Sequence, residues 1–163
     1  MDIRTRADYD HGPNEVFAVL TDPDFVAATV NQMSVGGQSH QVTTRGDHTV
    51  VTTRRTLPTD DLPDVAKKFA GPVLILDEVQ DWGPAGPDGA RHGTVTLRID
   101  GVPVALTGTI DLTPSAKGAT QEVRADLKAK VPLIGGTIEK AAAPAIIAGI
   151  DAVAEMAKER LHG

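Results

Sequence analysis

Two dipeptides carry the most usable chemistry in this chain, Arg54-Arg55 and Asp77-Glu78. Each lies in a run that reads as a strand. His48 to Leu57 is rich in Val, Thr and Arg, and Val73 to Trp82 has an apolar opening half. Neighbouring side chains on a strand point to opposite faces, so one member of each pair must point inward. An inward arginine can bind a carboxylate or phosphate on a ligand. An inward carboxylate in an apolar cleft has a raised pKa and can act as a general acid or base. An ion pair between the two dipeptides would oppose that shift and occupy both partners. The pattern leaves open which member of each pair faces inward; Arg55 and Asp77 are taken for the expected lining.

Other reactive patterns are weaker. The five histidines are His11, His40, His48, His92 and His162. None has the spacing of helical metal ligands, and there is no His-Glu-x-x-His. His40 and His48 are candidate neighbours across a hairpin. The serines Ser34, Ser39 and Ser115 fall in turns or strand ends, with no nucleophile elbow. No catalytic residue, metal ligand or cofactor is assigned. Gly135-Gly136 precedes a helix, where anions can bind; glycine that relieves strain at a sharp corner is the stronger reading.

The 163 residues fit one domain spanning 1–163 with a sizeable core. A net charge of −6 and the lack of a basic run argue against nucleic acid, whose phosphates require clustered Lys and Arg. With no cysteine, disulfides and thiolate chemistry are excluded. The start, MDIRTRADYD, lacks an apolar signal segment, and no stretch approaches the roughly 20 apolar residues of a membrane span. A cytoplasmic protein is expected. Aromatics are only 3% of residues, so Val, Leu, Ile and Ala must fill the core.

The elements that position these groups follow from periodicity. Residues 2–9 alternate as a strand, and Gly12-Pro13 and Asp22-Pro23 open two short helices. Hairpins are expected around Gly46-Asp47 and Asp100-Gly101, and a short helix or lid-like loop over Asp60 to Phe69 from the Asp61-Leu62-Pro63 start signal. Val123, Ala125, Leu127, Ala129 and Val131 alternate with Glu122, Arg124, Asp126, Lys128 and Lys130, which only a strand would separate cleanly. An alanine-rich helix, Ile134 to Leu161, follows, with Pro144 inside it. Its apolar stripe is read as Ile138, Ala142, Ala145, Ile146, Gly149, Val153 and Met156. The result is an α+β fold in which a curved antiparallel sheet wraps the long C-terminal helix, with two short helices after the first strand.

Several stretches resemble a known family: Val16-Phe17-Ala18-Val19-Leu20-Thr21-Asp22-Pro23-Asp24-Phe25, Arg54-Arg55-Thr56-Leu57-Pro58, Lys67-Lys68-Phe69 and Lys130-Val131-Pro132-Leu133-Ile134-Gly135-Gly136-Thr137-Ile138-Glu139-Lys140. With the element order, they resemble the helix-grip fold of the START-like (polyketide cyclase and lipid transport) superfamily. Within it, they are similar to the actinobacterial domain of unknown function 2505. The resemblance implies a tunnel between sheet and long helix, in which relatives hold lipids, polyketides or other apolar molecules.

The expected function is binding or carrying a hydrophobic small molecule between sheet and helix. The small side chains of the helix would leave the volume, and each buried ligand methylene would contribute about 0.8 kcal/mol. The expected lining is Arg55, Ile75, Asp77, Leu97, Leu106, Leu127, Ile138, Ala142, Ala145, Ile146, Gly149 and Val153. Two alternatives stand beside it. One is a cyclase-, aromatase- or hydrolase-like enzyme using an inward carboxylate or arginine. The other is a protein-interaction module with a packed interior. A homodimer is left open.

Overall fold

The computed structural model describes residues 1–60 and 62–163. The order of elements is β1 (Asp2–Tyr9), α1 (Pro13–Leu20), α2 (Pro23–Gln32), β2 (Ser39–Arg45), β3 (His48–Pro58), α3 (Asp64–Lys67), β4 (Val73–Trp82), β5 (Arg91–Ile99), β6 (Val102–Pro114), β7 (Ala119–Ala129) and α4 (Gly135–His162). Both short early helices start at a proline, where the missing N–H costs no helical hydrogen bond. The Asp22 side chain caps α2 by accepting from the Asp24 N–H. Of the segment expected to be a helix or a lid, α3 forms a single turn. Its expected start falls partly on Asp61, outside the described residues.

The seven strands form one antiparallel sheet in the order β1-β7-β6-β5-β4-β3-β2. Strands β2 through β7 each pair with the next in sequence, and β1 adds at the far side, with Ile3 opposite Ala125 and Tyr9 opposite Ala119. Two glycines let the strands approach closely. A Cβ at Gly108 would lie 2.1 Å from the Arg124 carbonyl oxygen, and one at Gly93 would lie 2.6 Å from that of Asp81. Glycine at such points lets an antiparallel sheet coil around an element laid on one face.

Helix α4 lies on that face. Val123, Ala125 and Leu127 are buried beneath it and join Ile138, Ala143, Ala154 and Ala157 in one core cluster. The helix runs unbroken through Pro144. Its buried arc differs from the expected stripe. Ala145 is exposed, whereas Ala142, Ile146, Gly149, Val153 and Met156 are half-buried flanks. The arc facing the sheet is turned by roughly 100°, about one residue on a helical wheel. The reason is compositional: Ile146, Ile147 and Ile150 make α4 apolar over more than one arc, so periodicity alone did not select the one that docks.

Candidate functional site

Parity along β3 and β4 decides which member of each dipeptide faces the helix. On β3, Val51, Thr53, Arg55 and Leu57 share the concave face; opposite them on β4 stand Gln80, Glu78, Leu76 and Leu74. Arg54 and Asp77 pair on the convex face. There the Arg54 Nη1 donates to both Asp77 oxygens at 2.9 Å and its Nη2 donates to Asp100 at 2.7 Å. Ile75, opposite Thr56, shares that outer face. Ile75 and Asp77 therefore point away from the helix, contrary to the expected lining. Because Val73-Leu74-Ile75-Leu76 is apolar at every position, nothing in its pattern marks which parity is inward.

Arg55 is inward and only 8% exposed. Its Nη2 donates to the Glu78 Oε2 at 3.0 Å, across a diagonal of the β3–β4 pair. The bonding continues down one face of β4. The Gln80 Nε2 donates to the Glu78 Oε1 at 2.8 Å, and the Trp82 Nε1 donates to the Gln80 Oε1 at 3.2 Å. Both Glu78 oxygens are thus occupied by protein donors. From β7, Gln121 reaches the same space, its Oε1 accepting from the Tyr9 hydroxyl at 2.7 Å. Burial, and to a lesser degree Glu155, pushes the Tyr9 phenol well above its ordinary pKa, so it stays a neutral donor.

Several of these groups floor a partly open cavity of about 60 Å³. Its polar side is Thr53, Arg55, Glu78, Gln80 and Gln121; its apolar roof is Leu20 of α1, Phe25, Val26 and Val30 of α2, and Val153 of α4. The volume suits a few heavy atoms and is well below the ~300 Å³ at which drug-sized ligands are usually enclosed. Phe25 also lines an outer groove of about 360 Å³ between α2 and the end of α4, formed with Ala28, Met156, Glu159, Arg160 and Gly163. Phe25 is therefore common to the cavity and the outer groove.

Three buried side-chain nitrogens find no hydrogen-bond partner among the described residues, and one of them, the Arg55 Nε, belongs to the cavity floor. The remaining Arg55 contact is weak, Nη1 to the Met33 Sδ at 3.9 Å. Gly149 lies behind it, close to the Met33 methyl group.

Of the expected lining, Arg55 and Val153 border the cavity. Leu97, Leu106, Leu127 and Ile138 are buried in the neighbouring core. Ala142, Ile146 and Gly149 are half-buried flanks, and Ala145 is exposed. Sequence reasoning missed Gln80, Gln121 and the α2 roof. A signal existed for Gln121: it interrupts the apolar alternation that runs Ala119, Val123, Ala125, Leu127 on the inward face of β7. A polar residue in that rhythm needs a partner or a purpose.

The other candidate groups lie elsewhere. His40 stands opposite Thr53 and His48 opposite Arg45, so the two are not neighbours. His48 instead contacts Asp81 at 2.6 Å, and His92 contacts Asp111 at 2.7 Å. No group of three metal-ligating side chains forms among the described residues. The Gly135-Gly136 corner is served from within the chain. The Glu139 carboxylate accepts from the Ala129 N–H at 3.1 Å, and this bond first of all holds its pKa below the usual range. A Cβ at Gly135 would lie 2.5 Å from the Ala129 carbonyl oxygen, so close packing requires that glycine. No helix among the described residues is long and apolar enough to cross a membrane.

The same architecture recurs in solved structures. The protein TTHA0849 from Thermus thermophilus superposes with a TM-score of 0.63 at 14% identity, covering 98% of this chain and 96% of that one. A STAR-related lipid transfer protein fragment from Xanthomonas axonopodis gives 0.62 at 15%, over 99% and 86%. DynU16, from the dynemicin biosynthetic locus, gives 0.53 at 18%, over 99% and 47%. Among curated proteins, none matches the chain. At these identities the likeness speaks for the fold alone, a helix-grip arrangement of curved sheet and long C-terminal helix. A family model described as "Protein of unknown function (DUF2505)" matches residues 4–161, and the chain belongs to that family.

Proposed function

We propose that the chain binds and carries a mainly apolar small molecule between the β3–β4 part of the sheet and the roof formed by α2 and α4. The observation that carries this reading is a partly open cavity with an aliphatic roof and a polar floor that leaves one buried arginine N–H without an acceptor among the described residues. Unsatisfied buried donors are uncommon and costly in a purely structural core. The lipid transfer protein among the solved structures has the same fold, which agrees with a guest in this position. The cavity holds only the polar end of such a guest; the apolar remainder extends past Phe25 into the outer groove.

Arg54, Arg55, Asp77 and Glu78 are all engaged in ion pairs, so the acid–base chemistry that motivated an enzymatic reading has no free group among them. Native mass spectrometry of freshly purified protein, together with uptake of apolar fluorescent probes, tests the carrier reading. A co-purifying small molecule, or saturable probe binding competed by lipid extract, is expected. Bare protein that takes up no probe would overturn it.

A further inference from the structure

Resting on that reading, we infer that the site selects guests whose polar end is an uncharged hydrogen-bond acceptor, such as a ketone, ester or amide, over guests ending in a carboxylate. Each carboxylate and amide oxygen on the floor already takes one bond from the protein. The two Glu78 oxygens take bonds from Arg55 and Gln80, the Gln80 Oε1 from Trp82, and the Gln121 Oε1 from Tyr9. What the floor leaves over is donor capacity: the Arg55 Nε–H, buried and without an acceptor among the described residues, and the Gln121 amide nitrogen, whose carbonyl oxygen accepts from Tyr9. A guest that brings an acceptor meets these leftover donors.

Charge decides which kind. Among the described residues, Arg55 is the only cation lining the cavity, and Glu78, 3.0 Å away, neutralises it. A carboxylate entering here would be a second anion beside one arginine in an apolar enclosure. It would lose its hydration without gaining a countercharge of its own. A carbonyl meets the same N–H donors and carries no such penalty.

Three eight-carbon probes separate the possibilities: 2-octanone, octanoate and octane, titrated at about pH 7 into the full chain. Affinity and the Arg55 Nε–H resonance in 15N-edited NMR are read together. The ketone is expected to bind about tenfold more tightly than either of the others and to shift that resonance, the ratio being that of one well-made hydrogen bond. Glu78→Gln, which leaves the arginine uncompensated, is expected to reverse the order in favour of octanoate. Should that variant not fold, Arg55→Met with Glu78→Gln removes both charges together, and it is expected to bind ketone and octane equally. Octanoate binding the wild type as tightly as the ketone, or ketone and octane binding alike without movement of the Arg55 signal, overturns the selectivity while leaving the carrier reading intact. Binding of none of the three overturns both.

Discussion

The concave face of the sheet has two halves with opposite solutions to the same packing problem. Under β1, β6 and β7, aliphatic side chains meet the small residues of α4. Leu106, Leu112, Leu127, Ala119 and Ala157 are at most 1% exposed there. Under β3 and β4, charged and amide side chains floor a cavity that α2 and α4 roof without filling. Small side chains other than the expected ones bring α4 close to β7: Ala143, Ala154 and Ala157 are buried, whereas Ala142 and Gly149 are half-buried and Ala145 is exposed. The room comes from the polar residues of the other half, which cannot collapse onto an aliphatic roof without losing their hydrogen bonds.

If this contrast is real, the halves should respond differently to truncation. Leu127→Ala, in the closed half, is expected to destabilise the protein by about 3–4 kcal/mol in urea unfolding without changing the relative affinities of bound probes. Phe25→Ala is expected to cost somewhat less, about 2–3 kcal/mol, because its ring already borders open space. It joins the cavity to the groove, so the association rate of an apolar probe in stopped-flow should rise. A Phe25→Ala protein that loses probe binding outright would break the reading of that ring as a wall the two spaces share.

Arg55→Met leaves Glu78 half-buried and uncompensated and is expected to cost about 2 kcal/mol, most of it recovered when Glu78→Gln is added. The outer pair makes the control. Arg54→Ala, at 41% side-chain exposure beside Asp77 and Asp100, should leave the urea midpoint nearly unchanged and probe binding unaltered. The smallest effect concerns acid. The carboxyls of Glu139 and Asp8 are held below their ordinary pKa values, first by the bonds from the Ala129 N–H and the Thr120 hydroxyl. A lowered folded pKa gives stability that is present above the ordinary carboxylate range and lost as pH falls through it. Thermal unfolding of Glu139→Gln should accordingly show a shallower decline between neutral and acid pH than the wild type.

The closed half is easier to read from sequence than the hollow one. Strict alternation from Val123 to Ala129, with charges on every intervening residue, showed which face of β7 is buried. Hairpin-length turns at Gly46-Asp47 and Asp100-Gly101 predicted the antiparallel order around them. The hollow half involves contacts between segments distant in sequence, and no local period encodes those. That Arg55 rather than Arg54 is inward depends on a parity that the mixed Val-Thr-Arg composition of β3 leaves open. The reach of Gln121 from β7 depends on the Tyr9 hydroxyl, 112 residues away. The roof of Phe25, Val26 and Val30 looks, from its own sequence, like any short amphipathic helix.

On the proposed carrier reading the space beside Arg55 receives a guest, and a high-resolution crystal structure of the protein as purified tests this most directly. Non-protein density is expected within hydrogen-bond distance of the Arg55 Nε, extending toward Phe25. An Arg55 side chain whose Nε is bonded to another residue of the chain, with Val26 and Val153 closed down onto it, would contradict the carrier reading at its root.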